Sequence, residues 1–267
     1  MCKTLAVLFV DSDNALGSPA GDVDDAFALA ALIGSGAEIV GISSVAGNTS
    51  EERAFANNQR LCQLLGWSGP MLRGNDAHAL LRTFPGRVVA LGPLTNVMHA
   101  RGASEVIVVG GRLRTIGRWP PLFPHEFNLT KDVRAAHAVF ASHLPLTIFP
   151  LDVARQLWVH ERDLLAIPGE LGEVLRSGSR RWFRRLLLLR RTRRFAIYDL
   201  AAALYAIGGD GFTMERTTAV MRKNTFLELG RGTREVTVCT KLDRLRLWEG
   251  FVNVGRGFSP PPPGGAG

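Results

Sequence analysis

Along this chain, short apolar runs alternate with stretches of helical periodicity. Leu5 to Val10 is rich in β-branched and aromatic residues and reads as a strand buried on both faces. After Asp25 the pattern AFALAALI has helix-forming composition, and a second strand follows at Ile39 to Val45. EERAFANNQRLCQLLGW predicts a helix with Phe55, Leu61, Leu64 and Leu65 toward the sheet, closed by Gly66. Pro70 to Leu72 reads as a short strand, and RGNDAHALLRTFPG as a polar turn whose His78 is either a ligand or, as a lone loop His more commonly is, solvent-exposed. Arg87 to Leu91 and Glu105 to Val109 are further buried strands, each running into glycine; GPLTN after Leu91 reads as a turn and helix start.

The second half continues the alternation. VRAAHAVFAS reads as a helix with His137 in a packing role, and LTIFPLDVARQ as a strand ending at Asp152. Tyr198 and Asp199 introduce an apolar helix that closes at Gly208, and TTAVMRKNTFLELG with REVTVCTKLD alternates like an antiparallel pair. The expected fold is α/β, an open, mostly parallel sheet flanked by helices with a small antiparallel edge. At 267 residues one large domain over 1–255 is expected, followed by a disordered Pro/Gly tail over 256–267.

Polarity flips at the end of the first strand. Asp11, Asp13, Asp22, Asp24 and Asp25 crowd a Gly/Pro/Ser/Asn-rich loop and the following helix start. Such crowding needs a cation or costs mutual repulsion, and hard carboxylate oxygens suit Ca²⁺ or Mg²⁺. The bland alternative is a helix cap and a solvated turn. Open α/β sheets place ligands outside the carboxyl ends of their strands, where this cluster and Asn48 both fall.

Composition narrows the classes. Cys2, Cys62 and Cys239 have no paired spacing, so neither a disulfide framework nor a zinc site is expected, and the cytoplasm is the default compartment. No apolar stretch is long enough to span a membrane. The net charge of +8 is concentrated at 176–194, RSGSRRWFRRLLLLRRTRR, which could receive phosphate or RNA, or be a surface helix with Leu186 to Leu189 partly inward. The long loop RLRTIGRWPPLFPHEFNLTKD ends in Glu126 and Asn128, polar groups suited to sugar hydroxyls.

Taken together, D-x-D, then D-D-A opening a helix, VAGN, GPLTN, VGG, EFN, LD and YD resemble, in order, the calcium-dependent nucleoside hydrolases of the inosine-uridine-preferring type. The resemblance implies an open Rossmann-like sheet and cleavage of the N-glycosidic bond of ribonucleosides, in a homodimer or homotetramer. It implies Asp13, Asp25, Asp199 and the carbonyl of Leu91 as Ca²⁺ ligands, with Asp24, Asn48, Glu126 and Asn128 on the ribose. Asp13 would also be the general base, and Asp11 would support the metal shell.

Three departures from the family pattern bear on the substrate. Tyr198 stands where the family commonly has a His that protonates the leaving base, so that role falls to Tyr198, to His125, to an arginine, or to no group. The segment between Leu81 and Arg87 is short and omits a loop that usually carries another site His. The first loop, NALGSPAGD, is lengthened, which with the Arg-rich segment raises a phosphorylated riboside as substrate. Two other readings compete: a haloacid-dehalogenase-like phosphatase using Asp11 and Asp13, and a catalytically impaired ribose- or RNA-binding protein.

Overall fold

The computed structural model describes residues 7–18, 21–113, 126–222 and 225–257. In chain order the elements are β1 (Val7–Ser12), α1 (Asp24–Gly34), β2 (Glu38–Ser44), α2 (Glu51–Leu64), β3 (Met71–Arg73), α3 (Gly74–Thr83), β4 (Arg87–Ala90) and β5 (Glu105–Val109). They continue with α4 (Asn128–Lys131), α5 (Val133–Ala141), β6 (Leu146–Phe149), α6 (Leu151–Ala154), β7 (Trp158–His160), α7 (Gly169–Arg190), β8 (Arg194–Ala196) and α8 (Tyr198–Ala206). The chain closes with β9 (Phe212–Met221), β10 (Leu227–Leu229), β11 (Arg234–Leu242) and α9 (Arg244–Gly257).

Among the described residues nine strands form one sheet in the order β10-β9-β11-β6-β5-β4-β1-β2-β3, and β7 and β8 make a separate ribbon. Strands β3 through β6, with β11 beside β6, run parallel, while β9 is antiparallel to both β11 and β10. The chain leaves β1 toward β2 on one side and returns at β4 on the other. That reversal opens a crevice at the carboxyl ends of β1 and β4, where ligands of such sheets bind.

Helices cover both faces, as all-parallel strands require. One core joins β1 to α1, α7, α8 and α9, with Phe27 against Phe195 and Phe251 at 5.9 and 5.8 Å; the other lies under α3 and α5. Helix α1 is buried nearly all round because it is wedged between the sheet and its neighbours α8 and α9. Its alanines face an equally Ala-rich α8, so the two backbones approach closely and their acidic first turns come together.

Several expectations are corrected. The supposed polar turn after β3 is α3, and His78 is half-buried on it: its Nε2 lies 3.0 Å from Asn96 Oδ1 and its ring stacks on His99 at 3.9 Å. Strand β6 stops at Phe149, because Pro150 opens α6, which carries Asp152. GPLTN leads into a single 3₁₀ turn, Val97–His99, rather than a full helix. Of Leu186 to Leu189 only Leu186 is inward. Among the described residues no helix is long and apolar enough to cross a membrane. Helix α9 continues to Gly257, and the rest of the Pro/Gly segment, like Trp119, Phe123 and His125 of the long loop, lies outside the described residues.

Candidate active site

The first strand delivers alternating side chains to the two faces of its own carboxyl end. Ser12 turns toward α1 and donates its hydroxyl to Asp25 Oδ1 at 2.7 Å; the Asp13 N–H donates to the same oxygen at 3.0 Å. Asp11 turns the other way, where Ser43 and the Asn96 side-chain amide (2.9 Å) donate to its Oδ1. Burial pushes the Asp11 carboxyl up to about 6.

Asp13 is held by the loop after β2. The Asn48 N–H donates to Asp13 Oδ2 at 2.5 Å, with the Asn48 side-chain amide 3.4 Å from Oδ1. The loop can come this close because of two glycines. A Cβ on Gly47 would fall 1.9 Å from Asp13 Oδ2, and one on Gly92 would fall 3.1 Å from the Asp13 carboxyl carbon.

The carboxylates of Asp24, Asp25 and Asp199, all buried, converge within 4.8 Å of one another. The Tyr198 N–H ties the two helix starts by donating to Asp24 Oδ2 at 3.1 Å. Asp25 Oδ2 is buried and has no hydrogen-bond partner among the described residues. Burial first, and then repulsion between these neighbouring carboxylates, holds Asp24, Asp25 and Asp199 well above the usual carboxylate range; burial also raises Asp13. Three oxygen donors and an unpartnered buried carboxylate oxygen fit a hard divalent cation. Asp22 is not the cap of α1: Val23 holds that position without a side-chain hydrogen bond, and Asp22 Oδ1 accepts from the Val23 N–H at 2.7 Å.

The ends of β4 and β5 complete the crevice. Asn128 donates its side-chain amide to the carbonyls of Leu91 (2.9 Å) and Val109 (3.0 Å), which leaves its Oδ1 as the atom available to a ligand hydroxyl. Glu126 Oε2 accepts from the N–H of Leu129 at 2.7 Å, while its buried Oε1 has no partner among the described residues. Burial pushes this carboxyl up to about 7.

The structure gathers Asp24, Asp25 and Asp199, with Asp13 and Asn48 hydrogen-bonded beside them and Asn128 on the Leu91 carbonyl, in part through residues that pattern alone did not single out as site residues; the cluster takes in Asp24, expected on the ribose, and not Asp13. Ser12, Ser43, Asn58 and Asn96 fix the acids, with Asn58 donating to Ser44 Oγ at 3.1 Å and Asn96 to the Ser44 carbonyl at 3.1 Å. For Ser12, Ser43 and Asn96 the signal was positional, polar residues at or just after the carboxyl ends of buried strands; Asn58, in the middle of α2, carried none. The phosphatase reading loses its nucleophile, since Asp11 is fully buried and engaged by Ser43 and Asn96. The Arg-rich segment forms the second half of α7. Arg176 donates to the carbonyls of Leu164 and Ile167, Arg185 lies 5.6 Å over the Trp182 ring, and Arg180, Arg181 and Arg184 are exposed.

Residues 77–249 match the profile of the inosine-uridine preferring nucleoside hydrolases. The chain belongs to that family. The match leaves out the acidic loop and Asn48. A plant nucleoside hydrolase, the PpNRh1 enzyme, superposes with a TM-score of 0.78 at 17% identity, over 94% of this chain and 99% of that one. By sequence, the pyrimidine-specific ribonucleoside hydrolase RihA of Salmonella agona (strain SL483) is 28% identical over 193 residues, 53% of this chain and 61% of RihA. An uncharacterized protein of Schizosaccharomyces pombe (strain 972 / ATCC 24843) is 26% identical over 212 residues, 59% of this chain and 68% of the relative. The matched segment thus spans less than two thirds of RihA. In this chain Tyr198 precedes Asp199, and Leu16 of the first loop packs against Gly178 of α7.

Proposed function

We propose that this protein hydrolyses the N-glycosidic bond of ribonucleosides and uses Ca²⁺ held by its buried aspartates. The observation that carries the reading is the convergence of Asp24, Asp25 and Asp199, with Asp13 hydrogen-bonded to Asp25, at the sheet edge where Asn128 meets the Leu91 carbonyl after β4. Asp25 and Asp199 are ligands in this proposal, together with Asp13 and the Leu91 carbonyl. Asp24 stands at the boundary between metal and ribose, its Oδ2 already accepting from Tyr198. When bound, Ca²⁺ supplies fixed positive charge that offsets the carboxylates' repulsion and acidifies nearby water.

The chain's own residues do the rest. Asp13, oriented by the Asn48 N–H and with its loop tight against it, accepts the proton of the attacking water. Asn128 Oδ1 and Glu126 Oε1 receive ribose hydroxyls, and their negative and dipolar groups shelter the oxocarbenium-like charge that develops on the sugar. Tyr198 donates a hydrogen bond to the departing base. Arg176 and Arg185 of α7 engage carbonyls and an aromatic ring while Arg180, Arg181 and Arg184 are exposed, so the nucleoside and its 5′-phosphate are to be compared directly.

A panel of ribonucleosides and their 5′-monophosphates, assayed for free ribose and base with Ca²⁺ or with chelator, tests the proposal. Chelator-sensitive release that falls by about 10³-fold or more in Asp13→Ala is expected. Intact substrates across the panel, with Ca²⁺ still bound by calorimetry, would overturn hydrolysis while leaving the metal site standing.

A further inference from the structure

The segment 176–194 holds nine arginines and no acidic residue, in a chain whose net charge is +8, so the remainder of the protein is close to neutral. Its charge is therefore one pole rather than a general basicity. On the 3.6-residue period of α7, Arg180, Arg181, Arg184, Leu187 and Leu188 share the solvent face, opposite the buried Leu175, Phe183 and Leu186. Leu187, Leu188 and Leu189 are 42, 81 and 64% exposed. A helix end that shows three consecutive leucines to water, ringed by arginines, is unlike an ordinary solvated face, which would carry acids and amides there.

The neighbouring surface repeats the pattern. Five residues after Leu189, Arg194 lies 4.7 Å over the Trp158 ring, and Arg244 lies 4.2 Å from the same ring. Trp158, Trp248, Arg162, Asp163 and Leu245 line one shallow concavity beside it, with Arg162 3.9 Å from Asp163 and Leu245 60% exposed. Exposed leucines, tryptophans with polar edges and arginines on long stems are the side chains that settle at a bilayer interface.

We infer that the C-terminal half of α7, with the adjoining Trp158 ribbon, docks this protein on the surface of an anionic lipid bilayer. The arginines meet lipid phosphates and the leucines enter the headgroup boundary; the protein lies on the membrane without crossing it. Charge favours this occupant over a second copy, because two such faces would repel. The leucines favour it over RNA, whose single strands are read by aromatic stacking and basic grooves.

Vesicle flotation of the full chain tests the inference, with phosphatidylcholine vesicles compared against phosphatidylcholine containing about one third phosphatidylglycerol. Binding to the anionic vesicles only is expected, weakening with salt. It should fall about fivefold for each arginine neutralised in Arg180→Gln and Arg184→Gln, and about tenfold in the double substitution Leu188→Ser, Leu189→Ser. Both leucines are exposed, so their loss leaves folding intact, which circular dichroism checks. Equal or absent binding to the two vesicles overturns the inference. So does a leucine-insensitive association that a short RNA displaces, or a mass by light scattering that drops in the leucine double variant.

Discussion

Replacing Gly47 by alanine isolates the geometry of Asp13, the proposed general base. The added Cβ would stand 1.9 Å from Asp13 Oδ2, 2.7 Å from the Asp13 carboxyl carbon and 2.8 Å from Pro93 Cδ, so no single small adjustment clears it. Contacts to a Cβ essentially never fall under 3.0 Å, so the Asp13 carboxylate and the loop must separate by about 1.1 Å, and the 2.5 Å hydrogen bond from the Asn48 N–H goes with them. A displacement of about 1 Å in a catalytic group costs roughly 10²-fold, or about 2.7 kcal/mol of transition-state stabilisation. We therefore expect Gly47→Ala to lower kcat/KM by about two orders of magnitude on the best ribonucleoside of the panel. Gly250→Ala is the control: nothing lies within 4 Å of its Cβ and it sits in α9, so activity should hold and stability rise by about 1 kcal/mol. Steady-state kinetics with a melting curve on both variants decides. If Gly47→Ala retains activity within threefold of the wild type, Asp13 is not the base or the loop does not position it.

Asp25→Asn removes one charge from the repelling cluster, so the metal-free protein should melt a few degrees higher, while the Ca²⁺-induced rise, worth about 2.7 kcal/mol at 100 times the dissociation constant, should disappear; scanning calorimetry with and without chelator reads both. Glu126, raised from 4.5 to about 7 by burial, binds its proton more tightly folded than unfolded, so its contribution is complete below about pH 4.5 and is lost as pH rises through 7. The loss is on the order of 3 kcal/mol, and denaturant titrations at pH 5 and 8 should show it shrinking in Glu126→Gln. Tyr198→Phe keeps the ring and the N–H bond to Asp24 but removes the phenol, so kcat on an ordinary nucleoside should fall about 10²-fold. The same variant should match wild type on 4-nitrophenyl riboside, whose leaving group needs no acid; equal activity on both substrates would remove Tyr198 from the reaction.

The fold was legible in the chain because its strands are buried on both faces and its helices carry clean apolar faces. Leu8 to Val10, Val88 to Ala90 and Val106 to Val109 are fully buried, and such runs announce themselves. Helix α3 was not legible, since its GND start and flanking Pro85 carry turn chemistry; packing of Ala77 and Leu81 on the sheet overrides it. The acids at the end of β1 were visible as a reversal of polarity. Their supports were not: Asn96 after Gly-Pro reads as a cap, and only the pairing of β1 with β4 places it on Asp11. The same limit separates Asp13 from Asp24. Both are acids near one strand end in sequence, whereas the close packing of α1 on α8 decides that Asp24 meets Asp199.

That packing also bears on the two meanings the acidic run had at first, cap or cation site. Two helix starts point at the cluster, and each dipole favours a nearby carboxylate by roughly 0.3–1 kcal/mol. Against this, two carboxylates within 4.8 Å repel by about 3 kcal/mol even at an effective dielectric of about 20, and Asp24, Asp25 and Asp199 make three such pairs. Burial adds to the cost, and Asp25 Oδ2 takes no hydrogen bond in return among the described residues. Dipoles thus cover only a fraction of the repulsion, and a capping role would have been met by one acid facing water. The arrangement stays ionised at neutral pH only with a divalent cation among its oxygens. The energetics that make the cluster a poor cap are the reason to read it as a metal site.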